Sequence, residues 1–319
     1  MRRPLSLSLC IPLFVATSLA AAQPTDKGGG KGGGGAGGGE ATQFLPEIAY
    51  VYRDTKGAEL RFASGDGSAE IVVHRTSGAN IHAIDVSSEA AKLVAYTTSE
   101  GVFVRQWQAV PLSVGAARQI FSGEAHFVDF SSDDEQLLFS TGHELYVHDL
   151  QARSTTLLAF GGTKAYPRWS PDRSGDVFFF GGADENAPLD LRKYHAATGT
   201  VDVLRSAGAG FSWQLGMDVT RPPATGLLYE TAKLALAEQV GTGDYRLRFF
   251  DLNGSPIDEP NVPGTDFHFD CSNNRVLHHL EQGRNDAIGM TYLGGTPTTW
   301  KKDSRIRTNV TDWMRRKPC

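Results

Sequence analysis

The chain has 319 residues, 40% of them hydrophobic and 21% charged, with a formal net charge of −5. That supplies a core, and it excludes an intrinsically disordered chain. A mildly acidic protein whose longest basic run is Arg315-Arg316-Lys317 offers little to a phosphate backbone, so nucleic acid is not the expected partner. Three cysteines exclude a four-cysteine zinc site and a disulfide framework.

The N-terminus reads as an address. Arg2-Arg3 precedes an apolar run from Leu5 to Ala20, too short for comfortable membrane spanning, and Ala20-Ala21-Ala22 supplies small residues for cleavage before Gln23. Residues 1–22 are therefore expected to be a cleaved secretory signal peptide. Residues 23–42 hold a glycine tract, Gly28 to Gly39, which buries nothing and reads as a flexible linker. Residues 43–319 form the expected folded unit. No later stretch predicts a membrane span.

No segment of that unit carries a clean helical stripe; the best candidate, Thr231 to Gln239, lacks an apolar face. Strand signals recur instead, with Gly, Asp and Ser clusters between them. An apolar stretch, a Ser-containing turn and a second apolar run appear as Ile84 to Glu89 before Leu93-Val94-Ala95-Tyr96. They return as Val128 to Asp133 before Leu137-Leu138-Phe139, and as Pro167 to Asp172 before Val177-Phe178-Phe179-Phe180. A weaker copy runs from Phe269 to Asn274. The bulky residue before each turn anchors the unit: Val86, Phe130, Trp169, Trp213, Cys271 and Trp313, at intervals of 44, 39, 44, 58 and 42 residues. A period near 40 to 45 residues with about four strands per unit predicts a β-propeller. The long interval predicts insertions at Asp218 to Thr225 and Ala232 to Gly243.

Trp169-Ser170-Pro171-Asp172 resembles the repeat of TolB-type propellers. Ile48 to Asp54, Glu59 to Ala63 and Gly65-Asp66-Gly67-Ser68 resemble the second and third strands of that repeat and the following turn. The resemblance implies an all-β, six-bladed propeller with four-stranded blades, in which Val310-Thr311-Asp312-Trp313 supplies the inner strand of the first blade and closes the ring.

Signatures of chemistry are sparse. There is no G-x-S-x-G, the nearest segment being Gly210 to Gln214, and no phosphate loop. His143-Glu144-Leu145-Tyr146-Val147-His148 is one residue too long for H-E-x-x-H and reads as a strand, where its two histidines point to opposite faces. His82 and His126 each stand four residues before an anchor, so they share one place in adjacent blades, at a mouth of the channel. They are expected to hydrogen-bond neighbouring loops; the alternative is a metal held together with Asp266 or Glu124. The position before the anchor reads Asp85, Asp129, Arg168, Ser212, Asp270 and Asp312, and such carboxylates are expected to accept bonds from a neighbouring turn. Tyr166, Phe211 and Phe267 are expected to present aromatic surface near the same mouth. Cys271 and Cys319, the two cysteines left after signal removal, are expected to form a disulfide, since closure places their blades side by side.

The sequence thus reads as an exported, periplasmic or secreted monomer without cofactor, binding a protein or an envelope polymer. The alternative is a propeller lyase or hydrolase with a His and acidic site at the channel mouth.

Overall fold

A computed structural model describes residues 46–88, 90–109, 112–159, 161–184, 187–206, 217–219, 234–241, 244–258, 262, 264–269, 275–282, 285–292, 298–302 and 306–313. All belong to one compact unit, Gln43–Cys319. The described residues contain strands and turns and no helix, so none is available to cross a membrane.

The first blade begins with β1 (Ile48–Asp54), β2 (Gly57–Ala63) and β3 (Glu70–Arg75). The second holds β4 (Ile81–Val86), β5 (Leu93–Thr98) and β6 (Gly101–Ala109), with β7 (Leu112–Val114) and β8 (Arg118–Ser122) both pairing with β6. This sheet has five strands because β6 is long enough to serve two partners. The third blade is β9 (Phe127–Phe130), β10 (Gln136–Ser140), β11 (Leu145–Asp149) and β12 (Ser154–Ala159). The fourth is β13 (Thr163–Trp169), β14 (Val177–Gly182), β15 (Asp190–His195) and β16 (Thr200–Arg205). The fifth is β17 (Met217–Val219), β18 (Leu234–Gly241), β19 (Asp244–Phe250) and β20 (Pro256–Asp258). The sixth is β21 (Thr265–Phe269), β22 (Arg275–Gln282), β23 (Asn285–Tyr292) and β24 (Thr298–Lys302). Within each sheet neighbouring strands run antiparallel.

The last strand, β25 (Ile306–Trp313), pairs with β1 and makes the first blade four-stranded, in the order β25-β1-β2-β3. Trp313 faces Ile48 and Asp312 faces Ala49 across this seam. The inner strands lie side by side in the sequence β25, β4, β9, β13, β17, β21 and back to β25. The ring is closed as expected.

Why the second strands are so apolar follows from this packing. Each is covered by a neighbouring blade on both faces, so both parities of the strand must be buried. Phe178 and Phe180 pack toward the fifth blade, against Leu234, Leu236 and Phe250. Phe179 points the other way, into a cluster with Leu138, Leu145 and Trp169. Comparable clusters join blades 1 and 2, 2 and 3, 5 and 6, and 6 and 1. The outermost strands lose this cover: Ser154 to Leu157 and Thr200 to Val203 are exposed.

The register corrects two anchors. In blades 2, 3 and 4 the anchors pair with the start of the second strand, as Val86 with Val94, Phe130 with Leu137 and Trp169 with Val177. In blade 5 that pair is Val219 with Leu234, and in blade 6 it is Phe269 with Val276. Val219 and Phe269 therefore replace Trp213 and Cys271, and the long interval is shared between two blades. The supposed insertion at Ala232 to Gly243 is largely β18, and Asp218 lies on β17. β18 hides from pattern reading because its run Leu234-Ala235-Leu236-Ala237 is apolar without alternation and alanine favours helices, so the segment does not read as a strand.

Candidate functional site: one mouth of the channel

The inner strands β4, β9 and β13 lie side by side, and the residues at their starts gather at one end of the ring. His82 sits in a β-bulge: Ile81 pairs with Thr98 and Ala83 with Thr97, leaving His82 as the extra residue. A bulge re-aims the side chain it carries. His126 immediately precedes β9, held by its own N–H on Ser140 O at 2.9 Å, while Ala125 N–H reaches back to Thr98 O at 3.2 Å. The two imidazoles lie nearly parallel, 5.2 Å between ring centres and 11° between planes.

His82 Nδ1 lies 3.0 Å from Ala125 O. A carbonyl only accepts, so this nitrogen carries the proton, and in the neutral imidazole the lone pair is on Nε2. Glu124 Oε1 lies 3.8 Å from His126 Nε2, beyond hydrogen-bond range. One ligand atom from each of His82, Glu124 and His126 falls within 4.8 Å of the others. Burial holds the His126 imidazole below its ordinary value, His82 and His143 push the same way, and Glu124 opposes them. His126 is thereby biased toward the neutral form.

A row of rings continues from this pair into the fourth blade. His126 and Phe127 are 6.4 Å apart, Phe127 and Tyr166 4.5 Å, and Tyr166 and Phe180 6.3 Å. Tyr166 occupies a bulge between Ala165 and Arg168 and has φ of +50°. A bulky residue in the left-handed region is strained by about 1–3 kcal/mol. The surrounding structure fixes it: Ser140 Oγ donates to Lys164 O at 2.6 Å, and Lys164 N–H donates to Gly142 O at 2.6 Å. Gly162 (φ +65°) makes the approach to this strand, since a Cβ there would stand 2.1 Å from Gly182 O.

The expected site residues thus separate. His82, His126 and Tyr166 come together, each half-buried. Phe267 does not join them. It is fully buried, stacked on His278 at 6.0 Å among Val262, Val276 and Leu247. With Phe269 as anchor, Phe267 takes the place of Ile84 and Val128, the positions that pack between blades. Phe211, Cys271 and Cys319 lie outside the described residues, as do Trp213 and the side chain of Asp266. Phe127 was missed; it stands three residues before its anchor, as Tyr166 does, and that spacing was a usable signal.

The acidic repeat position is structural where its contacts are described. Asp85 accepts the N–H of Phe130, and Asp129 accepts the N–H of Trp169. By register the fifth and sixth blades carry Asp218 and His268 there, in place of Ser212 and Asp270. His143 lies exposed in the bend before β11, outside the strand expected for it, while His148 is buried on β11 with its Nδ1 2.9 Å from Thr155 Oγ1, so the two face different surroundings.

Six antiparallel sheets, five of four strands and one of five, closed by the pairing of the first and last strands, define a six-bladed β-propeller. Its form is TolB-like. It is similar to the crystal structure of TolB from Acinetobacter baumannii, with a TM-score of 0.61 and 19% identity over 86% of this chain and 68% of that one. A protein described as a TolB of Agrobacterium tumefaciens gives a TM-score of 0.56 and 13% identity, over 85% and 94%. An oligogalacturonate lyase from Vibrio parahaemolyticus gives 0.51 and 8%, over 79% and 78%. No family model matches the sequence, and no curated protein matches it. The same fold therefore serves a lyase as well as TolB proteins, and function must be argued from the site.

Proposed function

We propose that this chain is an exported, non-catalytic propeller that binds a protein or an envelope polymer at the channel mouth built by β4, β9 and β13. The observation that supports it is the row of half-buried rings His82, His126, Phe127 and Tyr166. Aromatic rings fixed by their surroundings give contact area at low entropic cost. The signal peptide, residues 1–22, and the tether, residues 23–42, fit delivery to the periplasm or medium, with the propeller acting as a monomer.

Capture from an envelope extract tests this. The immobilised propeller should retain a discrete partner, and Tyr166→Ala, melting within a few degrees of the parent, should lose it. Retention unchanged by Tyr166→Ala and His126→Ala together would place binding elsewhere.

The second reading is a propeller lyase or hydrolase. The proximity of His82, His126 and Glu124 favours it, because titratable groups converge there. Turnover of acidic polysaccharides by the purified protein, abolished by His126→Ala, would select it over the first.

A further inference from the structure

We infer that His82, His126 and Glu124 form a binding site for a divalent transition-metal ion of the zinc class. This goes beyond the binding reading and does not depend on it. Three features of the mouth carry the inference.

The first is tautomer. Metal-binding imidazoles commonly donate their other ring nitrogen to a carbonyl or carboxylate, which fixes the ring and directs the lone pair. His82 does this through Nδ1–H to Ala125 O at 3.0 Å, leaving Nε2 as the donor atom. The acceptor belongs to the residue between Glu124 and His126, so one short segment supplies two ligands and orients the third.

The second is spacing. Bonds of about 2.0–2.2 Å in tetrahedral geometry separate two ligand atoms by about 3.3 Å. The His126 Nε2 to Glu124 Oε1 gap of 3.8 Å is too long for a good hydrogen bond and close to that separation. The three ligand atoms all lie within 4.8 Å of one another, and rotation of the half-exposed His126 ring and the exposed Glu124 side chain brings their lone pairs onto one ion.

The third is access and donor type. The Glu124 side chain is 58% exposed and that of His126 37%, so an ion reaches them from solvent. Two imidazoles and one carboxylate suit zinc and neighbouring first-row ions, and disfavour magnesium and calcium, which take oxygen ligands. Three protein ligands leave a coordination position open for water or for a donor atom of a bound molecule.

The test is zinc competition against a chromophoric chelator, on protein first stripped with EDTA. The parent should bind about one zinc per chain, and cobalt should give a ligand-field spectrum displaced by zinc. Glu124→Gln should weaken binding at least about 10-fold and His126→Ala about 100-fold or more, since even groups that only orient ligands cost about 10- to 100-fold when lost. Glu124 is exposed, so its variant folds even where a histidine variant does not; melting curves in EDTA check both. No stoichiometric zinc in the parent, or equal affinity in the parent and both variants, overturns the site. Capture of a partner in the presence of EDTA is read separately, so loss of this inference leaves the binding proposal standing.

Discussion

Asp129 of the third blade accepts the backbone N–H of Trp169 in the fourth at 2.9 Å, and Trp169 Nε1–H returns a bond to Asp129 O at 3.1 Å. Asp85 does the same one blade earlier, accepting the N–H of Phe130. Both carboxylates are buried, so each inter-blade N–H is satisfied where no water competes. The motif residue before the anchor is therefore a clasp from one blade to the next. Ser88 and Asp134 make a further link between the second and third blades, Ser88 donating through both N–H and Oγ.

Removing a clasp should be costly. Asp129→Ala leaves a buried N–H without an acceptor, a loss of about 2 kcal/mol. The melting temperature should fall by about 4–8 °C on that basis. Asp129→Asn keeps an acceptor oxygen and should cost less. Thermal unfolding followed by circular dichroism reads both, and equal melting of parent and Asp129→Ala would remove the clasp from the account.

The seam makes a larger demand. Deleting residues 309–319 removes the backbone partners of Ile48, Ala49 and Tyr50 and reopens the edge of β1. We expect the truncated chain to lose well over about 3 kcal/mol in urea unfolding, beyond what a single core truncation typically costs. Trp300 gives a gentler probe. Its Nε1–H donates to Gly65 O at 2.8 Å, and its ring packs edge-on against Tyr50 at 5.9 Å, tying the sixth blade to the first. Trp300→Phe should keep the packing and lose the hydrogen bond, about 1 kcal/mol.

Acid should destabilise the propeller in two stages. Burial lowers His74, His126 and His148 below the ordinary imidazole value of 6.5, with positive neighbours Arg105 and Arg118 adding to it at His74 and His148. As pH falls through 6.5 the unfolded chain takes up protons before the folded one does, so stability drops. Glu59, Asp133, Asp172 and Asp176 form the second stage. Burial would raise each, but hydrogen bonds outweigh it, from Arg61 and Arg75 at Glu59 and from Lys193 at Asp176. Their contribution is present above the ordinary values of 4.5 and 3.8 and is lost as pH falls through the lowered ones. Urea midpoints at pH 8, 5.5 and 3.5 should decline in that order, and a flat profile from pH 8 to 5.5 would contradict the histidine stage.

The cysteine pair is decided by mass spectrometry without reduction. A Cys271–Cys319 peptide pair is the expected product, and free thiols at both positions would reject it. The inner strand ending at Phe269 lies beside β25, which ends at Trp313, so both cysteines follow adjacent strands.

How far the sequence spoke depended on how strongly each blade is marked. Blades 3 and 4 announce themselves because an aromatic anchor, a Ser turn and a run such as Val177 to Phe180 coincide. The turn residues after those anchors also take left-handed backbone, Asp134 at φ +62° and Arg173 at +60°. Blades 5 and 6 lack that coincidence: Val219 is an ordinary apolar residue, while Trp213 and Cys271 imitate anchors. The two-residue slip at Cys271 moved Phe267 from the interior to the mouth on paper. At the site, equal spacing from Val86 and Phe130 was enough to pair His82 with His126. Glu124 and Asp266 were indistinguishable there, because the bond from His82 to Ala125 depends on how two blades meet, which no local pattern encodes.

The seam between β1 and β25 also fixes an order of events. A ribosome delivers residues 48–54 long before residues 306–313, so the first blade must wait three-stranded while five others form. Until then β1 presents a free row of N–H and C=O groups that the corresponding strand of another copy fits equally well. Newly delivered chains at high concentration are thus expected to exchange their last strands, and yield in overexpression should fall with chain concentration rather than with temperature alone.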